Sequence, residues 1–558
     1  MFLALLHVVL NRLVWREIPL QTDTGMWAYI GRRILDGALP YRDLWESKPP
    51  GIYYLIAGIE RLFGDLAVSA LCWLDGLVSI LVFGLTFWIA RLLTSGRAAA
   101  VVTLPLSLVF CHRVLADWGC NLEKFVAIFE MAACGLVLIA TAREKRALFF
   151  WAAAGLFCGI ASLFKQTGIA FLVATSLYAI WRSWTGIDPF TAARRAIAML
   201  WIGFIVVWLP VVGGMAWAGN LTSFVDQVVF YDLGRAAGGD GEADRLLTFE
   251  HWRSIGESLR LGTLLFGPAL VAIVLLLWRY AQRRAAGKSQ PEQPRPLSYS
   301  TPNSQGEVLV AIYALLALLP IVVAPFGYGH YLLQAAPPCA VLMACWLERV
   351  RMRRLPRGAT LAGGLFAAIG VHALGDQLRF TLSGDTENAA YAAQRERVDS
   401  KVSIIQRQTR PADSVMLWPP DYAASYYARR RTPLECSNSD VIFKGKIYRL
   451  DPPMSELLAR LRAAPPQVII DFTRLRVDGA GKGETGSAAQ SVLAEPGVSL
   501  LEEPDENHRM PVGRMLAPLK QWVRANYGGQ RRVGHCTIYR PGESWRPWTE
   551  YLFELGEK

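Results

Sequence analysis

ALFFWAAAGLFCGIASLFKQTGIAFLVATSLYAIWRSW, residues 147–184, is the stretch that decides the fold. Residues 147–164 and 168–184 are nearly all apolar, and the polar break between them is Lys165-Gln166-Thr167. A helix of about 20 apolar residues crosses the hydrocarbon core of a bilayer. Two such runs joined by so short a break read as neighbouring antiparallel spans, with Lys165 at one membrane edge.

Working outward, the pattern recurs at 1–15, 66–93, 97–112 and 123–142, then at 196–217, 260–280, 307–325, 330–348 and 358–375. After about residue 375 it stops. The whole chain of 558 residues is 53% hydrophobic and 19% charged, with a mean hydropathy of +0.26. Soluble domains carry about 25% charge and lack repeated runs of this length. The sequence therefore predicts an α-helical polytopic membrane protein with about eleven transmembrane helices and a C-terminal α/β extracytoplasmic domain. Residues 1–375 form the membrane module, with long outer loops at 16–65 and 218–259; residues 376–558 form the soluble α/β domain. The first run, 1–15, is short for a span and contains Asn11 and Arg12, so it reads as an oblique first helix.

The formal net charge of +12 does not point to nucleic acid, because the excess cations sit in short loops between apolar runs. Counting sides from an internal N-terminus, the loops near 91–97, 143–146, 182–195, 279–288 and 349–357 share one face, and all are rich in Arg and Lys. That bias marks the cytoplasmic side. An odd number of spans then places the C-terminal domain outside, at the plasma (inner) membrane, in a periplasmic or extracellular compartment. Within that domain the pattern predicts helices at 386–407, 421–430, 454–463 and 513–526 and strands at 414–419, 466–472 and 535–541. Cys436 and Cys536 share the outer domain, either bridged or as two buried thiols. No Cys or His spacing suggests a metal centre. Residues 282–305 read as a Pro/Ser/Gln-rich linker, and the Gly-rich run 478–487 lacks the phosphate-loop spacing.

The first outer loop is the richest in chemistry. DTGMWAYIGRRILDG (23–37) reads as an amphipathic helix capped by Asp23 and ended by Gly37; Pro40-Tyr41-Arg42-Asp43, Trp45-Glu46 and Lys48-Pro49-Pro50-Gly51 follow. Three more polar groups interrupt outer membrane edges: Asp117 through Asn121 and Glu123, then Lys165, then Tyr328 and His330. Each has an ordinary structural reading: a helix cap, a turn acid, or a snorkelling lysine.

The first-loop aspartate, the G-x-x-P-Y-x-D…K-P-P-G run, the many spans and the outer C-terminal domain together resemble the membrane-embedded GT-C fold glycosyltransferases. The likeness is to the bacterial branch of the dolichyl-phosphate-mannose protein mannosyltransferase family, which includes aminoarabinose transferases. It implies inverting transfer of a sugar from a polyprenyl-phosphate-linked donor (undecaprenyl- or dolichyl-phosphate sugar) to an acceptor lipid, glycan or protein. Asp23 matches the family's catalytic base. The resemblance leaves Lys48, Lys165, Tyr328 and His330 to bind the donor phosphate, and Asp43, Glu46, Asp117, Asn121 and Glu123 to contact sugar or acceptor. Many relatives have a second acid after the first-loop aspartate; here Thr24 follows, which lowers the expectation of a divalent metal. No further cofactor is expected. The alternatives are a lipid-linked-sugar flippase or transporter, which predicts charges deep inside spans, and an O-antigen ligase or polymerase.

Overall fold

The computed structural model describes residues 1–15, 18–20, 22–116, 120–142, 146–231, 233, 249–285, 304–323, 328–352, 356–383, 385–418, 420–435, 454–472, 511–533 and 536–541. Over its described residues, every apolar run named above is mainly helical. Six stretches among the described residues are long and apolar enough to cross a membrane: Gly51–Leu93, Leu122–Ala142, Ala147–Phe164, Phe190–Trp217, Thr263–Gln282 and Gln305–Val323. Others are shorter or more polar, including Phe2–Trp15, Ala170–Trp184, Leu332–Arg351 and Arg357–Ser383. The run expected at 97–112 is two pieces, Gly96–Val101 and Thr103–Phe110. Pro105 explains the break: it has no N–H to offer the Val101 carbonyl, and its ring crowds that carbonyl.

The bundle is centred on Leu332–Arg351, whose residues are buried almost without exception. Its sequence, rich in Ala, Cys and Pro, presents small side chains that let several helices approach at once. A tighter seam joins Ala147–Phe164 to Phe190–Trp217. A Cβ on Gly155 would lie 1.8 Å from the Leu200 carbonyl oxygen, and one on Gly203 would lie 2.0 Å from that of Ala152. The two backbones touch because glycine faces each of them.

Ionisable groups also lie inside the bundle, the feature that the transporter alternative predicts. Asp75 Oδ2 accepts from Arg12 at 2.6 Å and from Lys124 at 2.8 Å, with all three side chains at most 2% exposed. Glu130 accepts from Tyr313 Oη at 2.8 Å, Gln334 Nε2 at 2.9 Å and the Phe171 N–H at 3.0 Å. Partnering of this kind is what makes a charge tolerable in a membrane interior.

Among the described residues the C-terminal region holds a four-stranded mixed sheet: β1 (Val415–Trp418), β2 (Val468–Asp471), β3 (Tyr527–Val533) and β4 (Cys536–Pro541), in the order β1-β2-β4-β3. β1 and β2 are parallel; β4 is antiparallel to both β2 and β3. Alternate residues point to opposite faces, and both faces are covered. Met416, Trp418, Ile469 and Tyr539 pack under Met454–Ala463 and Pro511–Asn526. Val415, Leu417, Val468, Ile470 and Ile538 pack with Ile405, Ala424 and Ala428. All the helices and strands expected for this region are present, and β3 is an addition. Cys436 and the 478–487 run lie outside the described residues.

The helix Tyr422–Ala428 serves both regions. Asp421 caps it by accepting from the Ala424 N–H at 2.8 Å. Ala424 and Ala428 face the sheet, while Tyr422 and Tyr426 belong to the core of the membrane bundle.

Candidate functional site

The helix expected at 23–37 runs from Thr22 to Leu35, so Asp23 occupies its first turn and is not its cap. Gly37, with φ +91°, ends it as expected. Asp23 is exposed. Among the described residues it has no hydrogen-bond or ion-pair partner, which leaves a carboxylate available to an incoming hydroxyl.

The loop that follows is built rigidly. Tyr41 holds a left-handed backbone (φ +69°) and is 2% exposed; a bulky residue adopts that conformation only when its surroundings enforce it. The enforcing contacts come from three directions. Asn220 Nδ2 donates to the Pro40 carbonyl at 2.8 Å, and Gln227 Nε2 donates to the Tyr41 carbonyl at 2.9 Å. Gln166 Nε2 donates to the Ser47 carbonyl at 2.6 Å. Gln227 sits in a π-helical turn, Asp226–Phe230, a geometry frequent at functional sites. Tyr41 and Tyr53 both donate to the Lys48 carbonyl, at 2.8 and 3.2 Å. Lys48 is thus held from its backbone outward, with its ammonium 3.2 Å from Ser47 Oγ.

The other expected residues divide into two groups. Glu123, Lys165 and His330 come together although they are far apart in sequence. The Lys165 ammonium pairs with Glu123 and lies 4.1 Å from the centroid of the Tyr331 ring. His330 Nε2 is 3.8 Å from Glu123 Oε1, and the His330 ring stacks on Tyr328 with centroids 5.3 Å apart. Asp23 and Lys48 are both near enough to act electrostatically on His330. The second group is turned toward local structure. Glu46 is buried and accepts from its neighbour's N–H, Ser47, at 2.7 Å. Asn121, just before the 122–142 helix, donates to the Ala116 carbonyl. Asp43 accepts from Arg42 at 2.8 and 2.9 Å and from the Leu39 N–H at 2.8 Å. The Arg42 guanidinium holds its carboxyl below the usual range. Asp117 lies outside the described residues.

Sequence reasoning missed Tyr331, which supplies the aromatic face to Lys165, and Gln227, which orders the loop. It also missed Arg33 and Glu435, which with Tyr29 join the Asp23 helix to the C-terminal domain. Adjacency to His330 was the one available signal for Tyr331. Among the described residues no group of three or more His, Cys, Asp or Glu side chains could hold a metal ion.

Residues 47–212 match the model of the family described as dolichyl-phosphate-mannose-protein mannosyltransferase. That segment includes Lys48, Asn121, Glu123 and Lys165, and begins after Asp23. No curated protein matches the chain in sequence. Among solved structures, the chain is similar to ArnT from Cupriavidus metallidurans bound to undecaprenyl phosphate. The TM-score is 0.52 at 15% identity, covering 84% of this chain and 92% of that one. The apo form of the same protein gives a TM-score of 0.51 at 16% identity, with 84% and 92% covered. The helical bundle with its C-terminal sheet makes this chain a multi-pass membrane protein of the GT-C fold, and over residues 47–212 it is similar to the mannosyltransferase family.

Proposed function

We propose that this protein transfers a sugar, with inversion, from a polyprenyl-phosphate donor to an acceptor at the outer face of the inner membrane. The observation that carries the reading is an exposed Asp23, without a partner among the described residues, that with Lys48 acts electrostatically on His330 beside the Glu123–Lys165 pair. Asp23 takes the proton from the acceptor hydroxyl as its oxygen attacks the anomeric carbon. The bond from that carbon to the phosphate oxygen breaks, and the electron pair leaves on the polyprenyl phosphate. Cationic and N–H groups at the leaving phosphate stabilise charge that develops in the transition state. Lys48 is the principal cation here. Lys165, already paired with Glu123, shapes the field around His330 and Tyr328.

The sidedness rests on the Arg- and Lys-rich loops at the other end of the bundle, where Ser95 bonds Glu348 and Arg182 reaches Gln305 at 2.9 Å. The N-terminus is then cytoplasmic and the sheet domain external. A carrier that only moves lipid-linked sugar also predicts charge within spans. Asp75 and Glu130 are ionisable groups within spans, but each is already engaged by bundle side chains.

The test is transfer of radiolabelled sugar from polyprenyl-phosphate donors in matched membranes, wild type against Asp23→Asn. Loss of a general base costs roughly 10²–10⁴-fold, so transfer by the variant should fall by at least about a hundredfold. Equal transfer by both proteins sinks the assignment of Asp23. Sugar that crosses the bilayer while still on its carrier sinks the transferase.

A further inference from the structure

The outer domain grips the Asp23 helix through residues 422–435. A Cβ on Gly25 would lie 2.4 Å from Ala423 Cβ and 2.8 Å from its Cα, so the two helices meet two residues from Asp23. The Tyr29 ring lies 5.6 Å from that of Tyr422. The Arg32 guanidinium sits 3.9 Å over the Tyr426 ring and donates to the Tyr426 carbonyl at 2.6 Å. Arg33 Nε donates to Glu435 at 2.6 Å. Gly25, Tyr29, Arg32 and Arg33 recur at helical spacing and form one stripe, while Asp23 shares the opposite side with Trp27, Ile30 and Ile34.

Glu435 is the node of this grip. Its carboxylate accepts from both Tyr29 Oη and Arg33, and its carbonyl accepts from the Trp45 N–H at 2.8 Å. Tyr29 Oη accepts in turn from the Thr432 N–H at 2.9 Å. Burial, with the Glu435 carboxylate against it, pushes the Tyr29 hydroxyl far above its ordinary range, so it stays a donor. One residue of the outer domain thereby ties together the Asp23 helix and the loop that leads to Lys48. A charge-assisted hydrogen bond is stronger and more directional than a neutral one, which suits a fixed spacing.

We infer that Glu435 is a positioning residue, holding Asp23 and Lys48 at a set separation from behind the site, so that turnover depends on the outer domain. The consequence for turnover rests on the proposed transferase reading; the tether itself does not.

Hydrogen–deuterium exchange on the full-length protein in detergent reads the tether directly, beside transfer kinetics. In Glu435→Ala, amides across residues 24–35 and 38–47 should exchange faster, and kcat should fall roughly tenfold with the donor KM within about twofold. Glu435→Gln keeps an acceptor for Tyr29 and should restore most of both. Tyr29→Phe, which leaves the domain interface packed, should loosen the same amides by a smaller factor and serves if Glu435→Ala does not fold. Unchanged exchange over those segments in the folded Ala variant, or in Tyr29→Phe where the Ala variant fails, overturns the inference. So does lower folded yield with normal kcat per folded molecule. Faster exchange in a protein whose wild type transfers no sugar keeps the tether and rejects the transferase.

Discussion

Glu123 and Lys124 are neighbours in one helical turn, yet they serve two clusters of opposite character. Glu123 faces the site, where its partner Lys165 is 10% exposed and His330 20%. Lys124 faces inward to Asp75 and Arg12, where no side chain exceeds 2% exposure. Both clusters satisfy the same electrostatic need, since a charge taken from water must find a partner. They differ in access. The sealed cluster is placed to hold helices together, whereas the more open one, on the proposed reading, trades a protein partner for a substrate phosphate or hydroxyl. Exposure, more than residue type, separates structural charge from reactive charge in this bundle.

That contrast can be broken most severely at Asp75. Asp75→Ala strands Arg12 and Lys124 without their shared carboxylate, and breaking a buried pair costs about 3–5 kcal/mol. Folded yield and the unfolding midpoint in detergent should drop sharply; a variant as stable as wild type would mean that the cluster is not structural. Lys48→Met tests the open side. A hydrogen bond to a charged group contributes about 1.5–3 kcal/mol. The variant should therefore lose roughly ten- to a hundredfold in kcat/KM for a polyprenyl-phosphate donor, at an unchanged unfolding midpoint. Equal loss with a donor lacking the phosphate would place Lys48 elsewhere.

The smallest effect belongs to Asp43, a half-exposed acid beside exposed Arg42. Its folded-state acidity is raised by Arg42. Its contribution is therefore fully present above the ordinary carboxylate range and is lost as pH falls through the lowered value. Surface pairs contribute about 0–1 kcal/mol. Asp43→Asn should be slightly less stable than wild type at neutral pH, and the two should converge in acid. A difference that grows on acidification would reverse the sign.

The helices were legible because hydropathy is a local property: the 147–184 stretch announces its own length and its own break. The outer strands other than β3 were legible for the same reason. β3, YGGQRRV, has two glycines and three polar residues. It is a strand only because β4 pairs with it, Arg531 opposite Ile538. Single acids within long apolar runs were hidden by averaging, so Asp75 and Glu130 carried no signal. In the candidate site, Asp23, Lys48, Lys165 and His330 could be singled out as polar groups at membrane edges, but the partners of Lys165 and His330 could not. Nothing in the linear order joins Lys165 to Glu123, or Tyr29 to Glu435, more than 400 positions away. Glu46 and Asn121, expected as ligand contacts, also bond backbone groups close by in sequence, because a polar side chain in a tight loop has its own backbone within reach.

The glycine seam between Ala147–Phe164 and Phe190–Trp217 bears on how a long isoprenoid could reach the site. Where Gly155 and Gly203 set backbone on backbone, no channel remains for a hydrocarbon tail to slip between those two helices. On the proposed reading, a lipid carrier therefore has to enter along another flank of the bundle.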